Sequence, residues 1–144
     1  MKNIKLSLFI CGLMMFQAFG CSKTSDPPDP LLNGKWTLYS VLNVKANQIF
    51  IYPDSIPNKE TITFNDSTSQ LTYSGACNYG FGKFNAFNSK INFPSGISSS
   101  KLFCKYFTWD DYLYNNLISA SEYAINGNQL IIKSNDHYNL TFVK

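Results

Sequence analysis

The chain has 144 residues, of which 44% are hydrophobic and 16% aromatic, so it can fill the core of one ordinary domain and is not a disordered polymer. Only 15% of the residues are charged, there is no arginine, and the formal net charge is +3. A surface with so little positive charge offers few contacts to a phosphate backbone, so nucleic acid is not expected as a partner.

The first twenty residues have the pattern of a secretory signal. Lys2 and Lys5 precede an apolar run at residues 6–16. As a helix this run spans about 16 Å, too short for the ~30 Å hydrocarbon core of a membrane. A basic start, a short apolar stretch and then small residues are typical of an export signal. We therefore predict a signal peptide at residues 1–20, and its removal leaves a net charge of about +1.

The residues after the apolar run resemble the lipoprotein box of bacteria, in which a cysteine is acylated. Ala18 and Gly20 are small residues before Cys21, and the stretch SKTSDPPDP that follows is polar and rich in proline. Such a stretch favours an extended tether, about 30 Å long for nine residues. The resemblance implies a lipidated Cys21 and a tether at residues 21–32. The alternative is a plain signal peptide that leaves Cys21 free.

The predicted tether places a folded domain, residues 33–144, in the cell envelope. The expected location is the bacterial outer membrane, on its periplasmic or surface face, with the membrane contacted through palmitate or a similar acyl chain. Stable anchoring of this kind requires more than one acyl chain, because a single chain binds a membrane only marginally.

Two cysteines remain for the folded domain, since Cys11 leaves with the signal peptide and Cys21 is assigned to lipid. An even pair in an exported chain favours a disulfide between Cys77 and Cys104. The alternatives are a reactive thiol or metal ligands, but His137 is the only histidine and the sequence has no CxxC pair. We therefore expect a structural disulfide, with no metal and no cofactor.

Alternation of apolar and polar residues predicts a mainly antiparallel sheet. Strands are expected at residues 36–41, 60–64, 71–74, 81–87, 91–93, 123–125, 129–133 and 139–143. Ile62 and Phe64 are expected to face inward, and Asn126-Gly127 predicts a hairpin turn. Residues 43–59 contain the apolar run IFIY, which we interpret as an edge strand ended by Pro53 rather than as an exposed contact loop.

One segment has helical spacing instead, with one apolar face formed by Trp109, Tyr112, Leu113, Leu117 and Ala120. Thr108 is expected as the N-cap of this helix. Asp110 and Asp111 suit the positive end of the helix dipole and are not expected to converge as an acid pair. The order of elements predicts an α+β fold, in which a curved antiparallel sheet forms a partly closed barrel and one helix between the N-terminal and C-terminal strands packs against it or plugs it.

The segment GACNYGFGKF at residues 75–84 resembles the glycine–cysteine–asparagine segment of the META domain, the HslJ-like family. GKWTL at 34–38, SKLFC at 100–104 and the closing strands from Tyr123 stand in the family's order. The resemblance covers residues 33–143. It implies a small envelope-associated module of bacteria, with relatives linked to stress response, antibiotic tolerance or secretion, and it implies no enzymatic mechanism.

The resemblance carries over a set of motif residues, namely Gly75, Cys77, Asn78, Gly80 and Gly82. Glycines at these positions permit a bulge or a close backbone approach around the cysteine. Asn78 is interpreted as a side-chain cap or turn former rather than as a catalytic group.

Three functions remain open at this stage. The leading hypothesis is a lipid-anchored, non-enzymatic module that binds another envelope component or acts in stress response. A lipocalin-like carrier of a small apolar ligand is the alternative, and it requires an open apolar cavity of some hundreds of Å³. A hydrolase is the third, and it requires His137 within hydrogen-bond reach of a hydroxyl or thiol; the SxxK match at residues 98–101 lacks its companion motifs and is interpreted as a serine-rich loop.

Overall fold

The structure is a computed structural model that describes residues 31–144. These residues form eleven strands: β1 Gly34–Asn43, β2 Gln48–Ile51, β3 Thr61–Asn65, β4 Gln70–Ser74, β5 Tyr79–Lys83, β6 Asn85–Phe87, β7 Lys90–Asn92, β8 Ile97–Ser99, β9 Ala120–Asn126, β10 Gln129–Ser134 and β11 Tyr138–Val143. One helix, α1 Phe107–Ile118, lies between β8 and β9. The predicted signal peptide, Cys21 and most of the predicted tether lie outside the described residues. No helix in the described part is both long and apolar enough to cross a membrane.

The strands form one curled antiparallel sheet. Their order is β6-β7-β9-β10-β11-β1-β3-β4-β5-β8, and β2 pairs with β1 beside this path. The N-terminal half of β1 pairs with β3 and its C-terminal half with β2, so these two short strands share one edge of the longer one. The sheet is a half-barrel with one helix, which confirms the α+β prediction.

The connection between β5 and β6 shows why the sheet curls. β5 lies near one end of the strand order and β6 at the other, yet only Phe84 separates them. Because one residue spans less than 4 Å, the two ends of the sheet have to lie close together. Phe84 leaves the ladder with β4 and donates its N–H to Ser69 O at 3.0 Å. The single strand predicted at residues 81–87 is therefore two strands.

A bulge in β1 adds to the curvature. Leu38 pairs with Phe142 and Ser40 with Thr141, so Tyr39 is an extra residue between them. A bulge bends its strand and increases the local twist. Leu38 is consequently buried while Tyr39 remains 49% exposed.

Large apolar side chains fill the inside of the half-barrel. Trp36, Phe64, Phe84 and Phe142 are almost completely buried, and the rings of Phe64 and Phe84 meet edge to face at 4.9 Å. Ile62 and Phe64 on β3 face inward, as predicted. Leu32 is also fully buried, and its carbonyl accepts the indole N–H of Trp36 at 2.8 Å. The packed domain therefore includes Leu32, one residue before the predicted boundary.

The edge strand predicted within residues 43–59 is present as β2, which ends at Ile51, before Pro53. The predicted hairpin between β9 and β10 is also present, but its turn is displaced by one residue. Asn126 still pairs with Gln129, so the turn residues are Gly127 and Asn128 rather than Asn126 and Gly127. Of these two turn residues, Gly127 alone has a positive φ, of 57°, a conformation that glycine adopts without steric cost.

The helix occurs where it was predicted, with a different start. Its N-cap is Tyr106, without a side-chain hydrogen bond, so the prediction of Thr108 was wrong. Phe107 N–H donates to Cys104 O at 3.2 Å, so the chain turns before Thr108 is reached. Thr108 therefore lies inside the first turn of the helix. On the predicted apolar face, Leu113 and Leu117 are fully buried, and Ala120 already belongs to β9.

We predict that Phe84→Ala lowers the free energy of unfolding by about 3–5 kcal/mol, because it removes a ring from the point where the ends of the sheet meet. Phe87→Ala is the matched control: its ring is 49% exposed, and the loss should stay below about 1 kcal/mol. Urea denaturation of both variants measures the difference. Equal losses would contradict the role given to Phe84.

Candidate functional site

The turn at residues 75–78 follows β4 and holds the motif cysteine and asparagine. Its backbone N–H groups bind a carboxylate from the helix: Asp110 Oδ2 accepts the N–H of Cys77 at 3.0 Å, and Oδ1 accepts that of Asn78 at 3.2 Å. Within the turn, Gly75 N–H donates to Asn78 O at 2.6 Å. Consecutive amide groups of this kind form a concave anion site, here occupied by the protein's own side chain. Asp110 thereby fixes the start of α1 against the turn.

Gly75 is required by this contact. A Cβ atom at this position would lie 1.8 Å from Asp110 Oδ1, so no other residue fits without displacing the carboxylate. The predicted close approach at the other motif glycines is also present, because a Cβ would lie 2.2 Å from Ser98 O at Gly80 and 2.8 Å from Gly96 O at Gly82. These two glycines let β8 pair closely with β5.

A second acidic side chain, that of Glu60, contacts the same turn. Glu60 is completely buried just before β3, and its Oε1 accepts the N–H of Ala76 at 3.4 Å. Its Oε2 has no hydrogen-bond partner within the described part of the chain. Burial, and secondarily the negative charge of Asp110, raises the pKa of Glu60 to about 8. Glu60 is therefore largely protonated at neutral pH.

Neighbouring groups respond to the same environment. Burial raises the pKa of Asp110, although the N–H groups of Asn78 and Cys77 oppose this by stabilising the charged form. The pKa of Tyr52 is raised by burial and by the charges of Glu60 and Asp110. The Tyr52 hydroxyl donates to Asn58 O at 2.8 Å, consistent with a neutral phenol.

The predicted disulfide joins this turn to the segment before the helix. Cys77 and Cys104 are bonded, with Cα atoms 6.3 Å apart and a sequence separation of 27. Closing a loop of this length stabilises a fold by about 3–4 kcal/mol in the chain-entropy model. Both sulfurs lie within 4.8 Å of an oxygen of Asp110. Because the sulfurs are bonded to each other, neither is a thiolate that could bind a metal ion.

Asn78 holds the loop that carries Cys104. Its Oδ1 accepts the N–H of Leu102 at 2.7 Å and the hydroxyl of Ser100 at 2.9 Å, while its Nδ2 donates to Leu102 O at 3.1 Å. The side-chain amide of Asn78 thus makes the two backbone hydrogen bonds that a neighbouring strand would otherwise make to Leu102. The Asn78 side chain was interpreted as a local cap or turn former, whereas its hydrogen bonds reach Ser100 and Leu102, more than twenty residues away in sequence.

The loop held in this way carries exposed apolar side chains. Leu102, Phe103 and Phe107, here called the Phe103 cluster, are 59%, 85% and 40% exposed. The rings of Phe103 and Phe107 stack with their centres 4.9 Å apart. Beside the cluster lies an open cleft of about 310 Å³, with walls that include Tyr73, Asp111 and Tyr114. The arrangement is an apolar projection, attached at Leu102 and Cys104, next to a partly polar cleft.

Sequence reasoning placed some of these residues correctly and missed others. Gly75, Cys77, Asn78 and Cys104 converge at the turn, whereas His137 lies in the exposed turn between β10 and β11. Glu60 was missed. It lies just before β3, and alternation places its side chain on the same side of the chain as Ile62 and Phe64.

The buried contact of Asp110 was missed as well. The sequence suggested only a favourable charge near the start of the helix. The signal available was spacing, because Asp110 precedes Leu113 by three residues and Leu117 by seven and therefore shares their buried face.

We predict that Gly75→Ala lowers the free energy of unfolding by about 2–4 kcal/mol, because the added methyl group displaces the Asp110 carboxylate. In an Asp110→Ala background the same substitution should be less harmful, by at least about 1 kcal/mol. Chemical denaturation of the four proteins in this cycle measures the coupling. Strict additivity would show that the methyl group acts on something other than Asp110.

We predict that Glu60 makes the protein less stable as the pH rises. Its pKa is about 8 in the folded protein and 4.5 in its ordinary state, so the unfolded chain releases the proton first. This contribution is fully present below pH 4.5 and is lost towards pH 8. Relative to Glu60→Gln, which cannot ionise, the free energy of unfolding of the native chain should fall by about 3–4 kcal/mol between pH 5 and pH 8. The free energies of unfolding are measured with urea at each pH. If they change with pH in the same way for both proteins, the prediction is refuted.

Comparison with known proteins identifies the fold. A family model described as META domain matches residues 29–144. An NMR structure of a protein from Burkholderia xenovorans is similar, with a TM-score of 0.61 and 18% identity over 85% of this chain and 92% of that one. A second NMR structure has a TM-score of 0.59 and 18% identity, over 78% of this chain and 89% of the other.

A crystal structure of a DUF4847 family protein from Bacteroides vulgatus ATCC 8482 is also similar, with a TM-score of 0.54 and 15% identity over 78% of this chain and 92% of that one. At such low identity these structures show the fold alone. No curated protein matches the sequence. The family model covers the whole described domain, including the turn, the disulfide and the helix, and the chain belongs to the META domain family.

Proposed function

We propose that the chain is a lipid-anchored envelope protein whose META domain binds another envelope component through the Phe103 cluster, without catalysis. The disulfide supports export, because such bonds persist in oxidising compartments. The signal-like first twenty residues and the proline-rich stretch after Cys21 support an anchor in the outer membrane.

The position of the Phe103 cluster relative to the predicted tether supports this proposal. The described chain enters β1 at Gly34, which pairs with Phe64, and Lys144 Nζ donates to Asn33 O at 3.1 Å nearby. At the other end of the same strands, Thr61 pairs with Ser74, immediately before the turn that bears the disulfide. The cluster therefore lies at the end of the half-barrel away from the tether, where a component other than the anchoring lipid can reach it.

The exposure of Phe103 is the observation that carries the proposal. Because the ring of Phe103 is 85% exposed, it contributes little to the stability of the fold through burial. The disulfide and the Asn78 amide nevertheless hold its loop in place. Rigid exposed aromatic residues are typical of binding surfaces, because little side-chain entropy is lost when a partner covers them. Residues of this kind often dominate the energy of an interface.

The interior of the domain favours this function over the apolar carrier. Large rings fill the half-barrel, and the cleft beside the Phe103 cluster opens to solvent and includes acidic and hydroxyl groups. The carrier requires an open apolar cavity, whereas the walls of this cleft of about 310 Å³ include Asp110, Asp111 and the hydroxyl groups of tyrosine and serine residues. The hydrolase requires the imidazole of His137 beside a hydroxyl or thiol and oriented by an acid, whereas His137 lies in an exposed turn, which favours a non-enzymatic role.

We expect a photo-crosslinking residue in place of Phe103, in the lipidated chain in living cells, to form a discrete adduct with one envelope component. The matched control replaces Phe81 on β5, which is 61% exposed but lies outside the cluster. Adducts identified by mass spectrometry should appear from position 103 and be at least about tenfold weaker from position 81.

The same preparation tests the anchor. The intact mass of the protein extracted from membranes should include acyl chains, and Cys21→Ser should remove them and release the chain from the membrane fraction. Equal adducts from both positions, or none above background from position 103, would refute the binding surface. An unmodified mass would refute the anchor.

A further inference from the structure

The edge of β2 is a second surface, separate from the Phe103 cluster. Among the described strands β2 pairs with β1 alone, so its other side faces no strand. Unpaired edges are templates for further pairing, and proteins usually protect them with charged residues or a bulge. The sequence of β2, QIFI, contains no charge, and its only nearby protection is Pro53 after its end.

The backbone pattern shows which groups this edge offers. Tyr52 N–H donates to Tyr39 O at 2.8 Å, and the register pairs Phe50 with Val41. Because hydrogen-bonded pairs alternate in an antiparallel ladder, Phe50 bonds to β1, whereas the N–H and C=O groups of Ile49 and Ile51 point away from it.

The side chains of these residues fit the same interpretation. Ile49 is 62% exposed and Ile51 is 53% exposed, and alternation places both on one face. Phe50 faces the other way and stacks on Tyr112 of α1, with ring centres 6.0 Å apart. A strand added at this edge would cover both isoleucines and leave the contact with the helix intact.

We propose that β2 pairs with β2 of a second copy of this chain, which joins the two half-barrels into one continuous sheet. The strand is self-complementary: with the two-fold axis at Phe50, Ile49 lies opposite Ile51 of the other copy. Each of these two pairs exchanges both backbone hydrogen bonds, so four bonds form. The absence of charge in β2 means that no like charges meet across the axis. The small interface predicts weak, concentration-dependent association.

Amide hydrogen exchange of the full chain in detergent, measured at rising protein concentration, tests the pairing. Exchange at Ile49 and Ile51 should slow by at least about tenfold as the copies associate, because their N–H groups become bonded. Exchange at Phe50 should not change, since its N–H is already bound to β1. Sedimentation of the same samples should show the mass approaching that of two copies.

Two variants separate this interface from any other. Ile51→Pro removes only an N–H that points away from β1, so the fold should survive and association should weaken by at least about tenfold. Ile51→Val keeps the N–H and is the matched control, with association close to native. If Ile51→Pro melts at a much lower temperature than Ile51→Val, Ile49→Lys takes its place. Each lysine then lies opposite Ile51 of the other copy, and the two like charges are diagonal neighbours on one face of the joined sheet.

If Ile51→Pro or Ile49→Lys associates as strongly as the native chain, the interface lies elsewhere and the proposal is overturned. A chain that remains a single copy at every concentration, with fast exchange at Ile49 and Ile51, would overturn it as well. Neither result bears on the Phe103 cluster, which is tested separately by crosslinking.

Discussion

The carboxylate of Asp110 is the contact on which the arrangement of this domain depends. It fills a concave site made by the backbone of the turn after β4, and it belongs to the first turn of the only helix in the described chain. The helix, the turn and the disulfide therefore share one fixed point. The motif glycine at position 75 has a direct physical reason here, because any larger residue would occupy the space of the carboxylate.

The buried acid pair adds an electrostatic constraint. Glu60 and Asp110 bind adjacent parts of the same turn, and burial, followed by the charge of Asp110, raises the pKa of Glu60. A carboxyl group without solvent is best accommodated in its neutral form. At neutral pH the turn is thus held by Asp110 and by a largely protonated Glu60, which connects the docking of the helix to the protonation state of Glu60.

Rigidity around the turn explains how the domain can present an apolar surface. The disulfide fixes Cys104, and the amide of Asn78 takes the place of a strand for Leu102. Between these two attachments Phe103 projects into solvent. The described chain enters β1 at Gly34, at the other end of the strands that lead to this turn, so the Phe103 cluster is separate from the point where the described chain begins.

Local pattern in the sequence determined the alternating strands, the helix, the pair of cysteines and the family. These features depend on the period of the apolar residues and on the chemistry of individual residue types, which a single chain displays directly. Tertiary structure alone decided that residues 81–87 form two strands, because only the closing of the sheet separates Phe84 from the ladder of β4. It also brought Glu60 and Asp110 to one turn. Contacts between residues fifty positions apart depend on how the sheet curls, which no local spacing encodes.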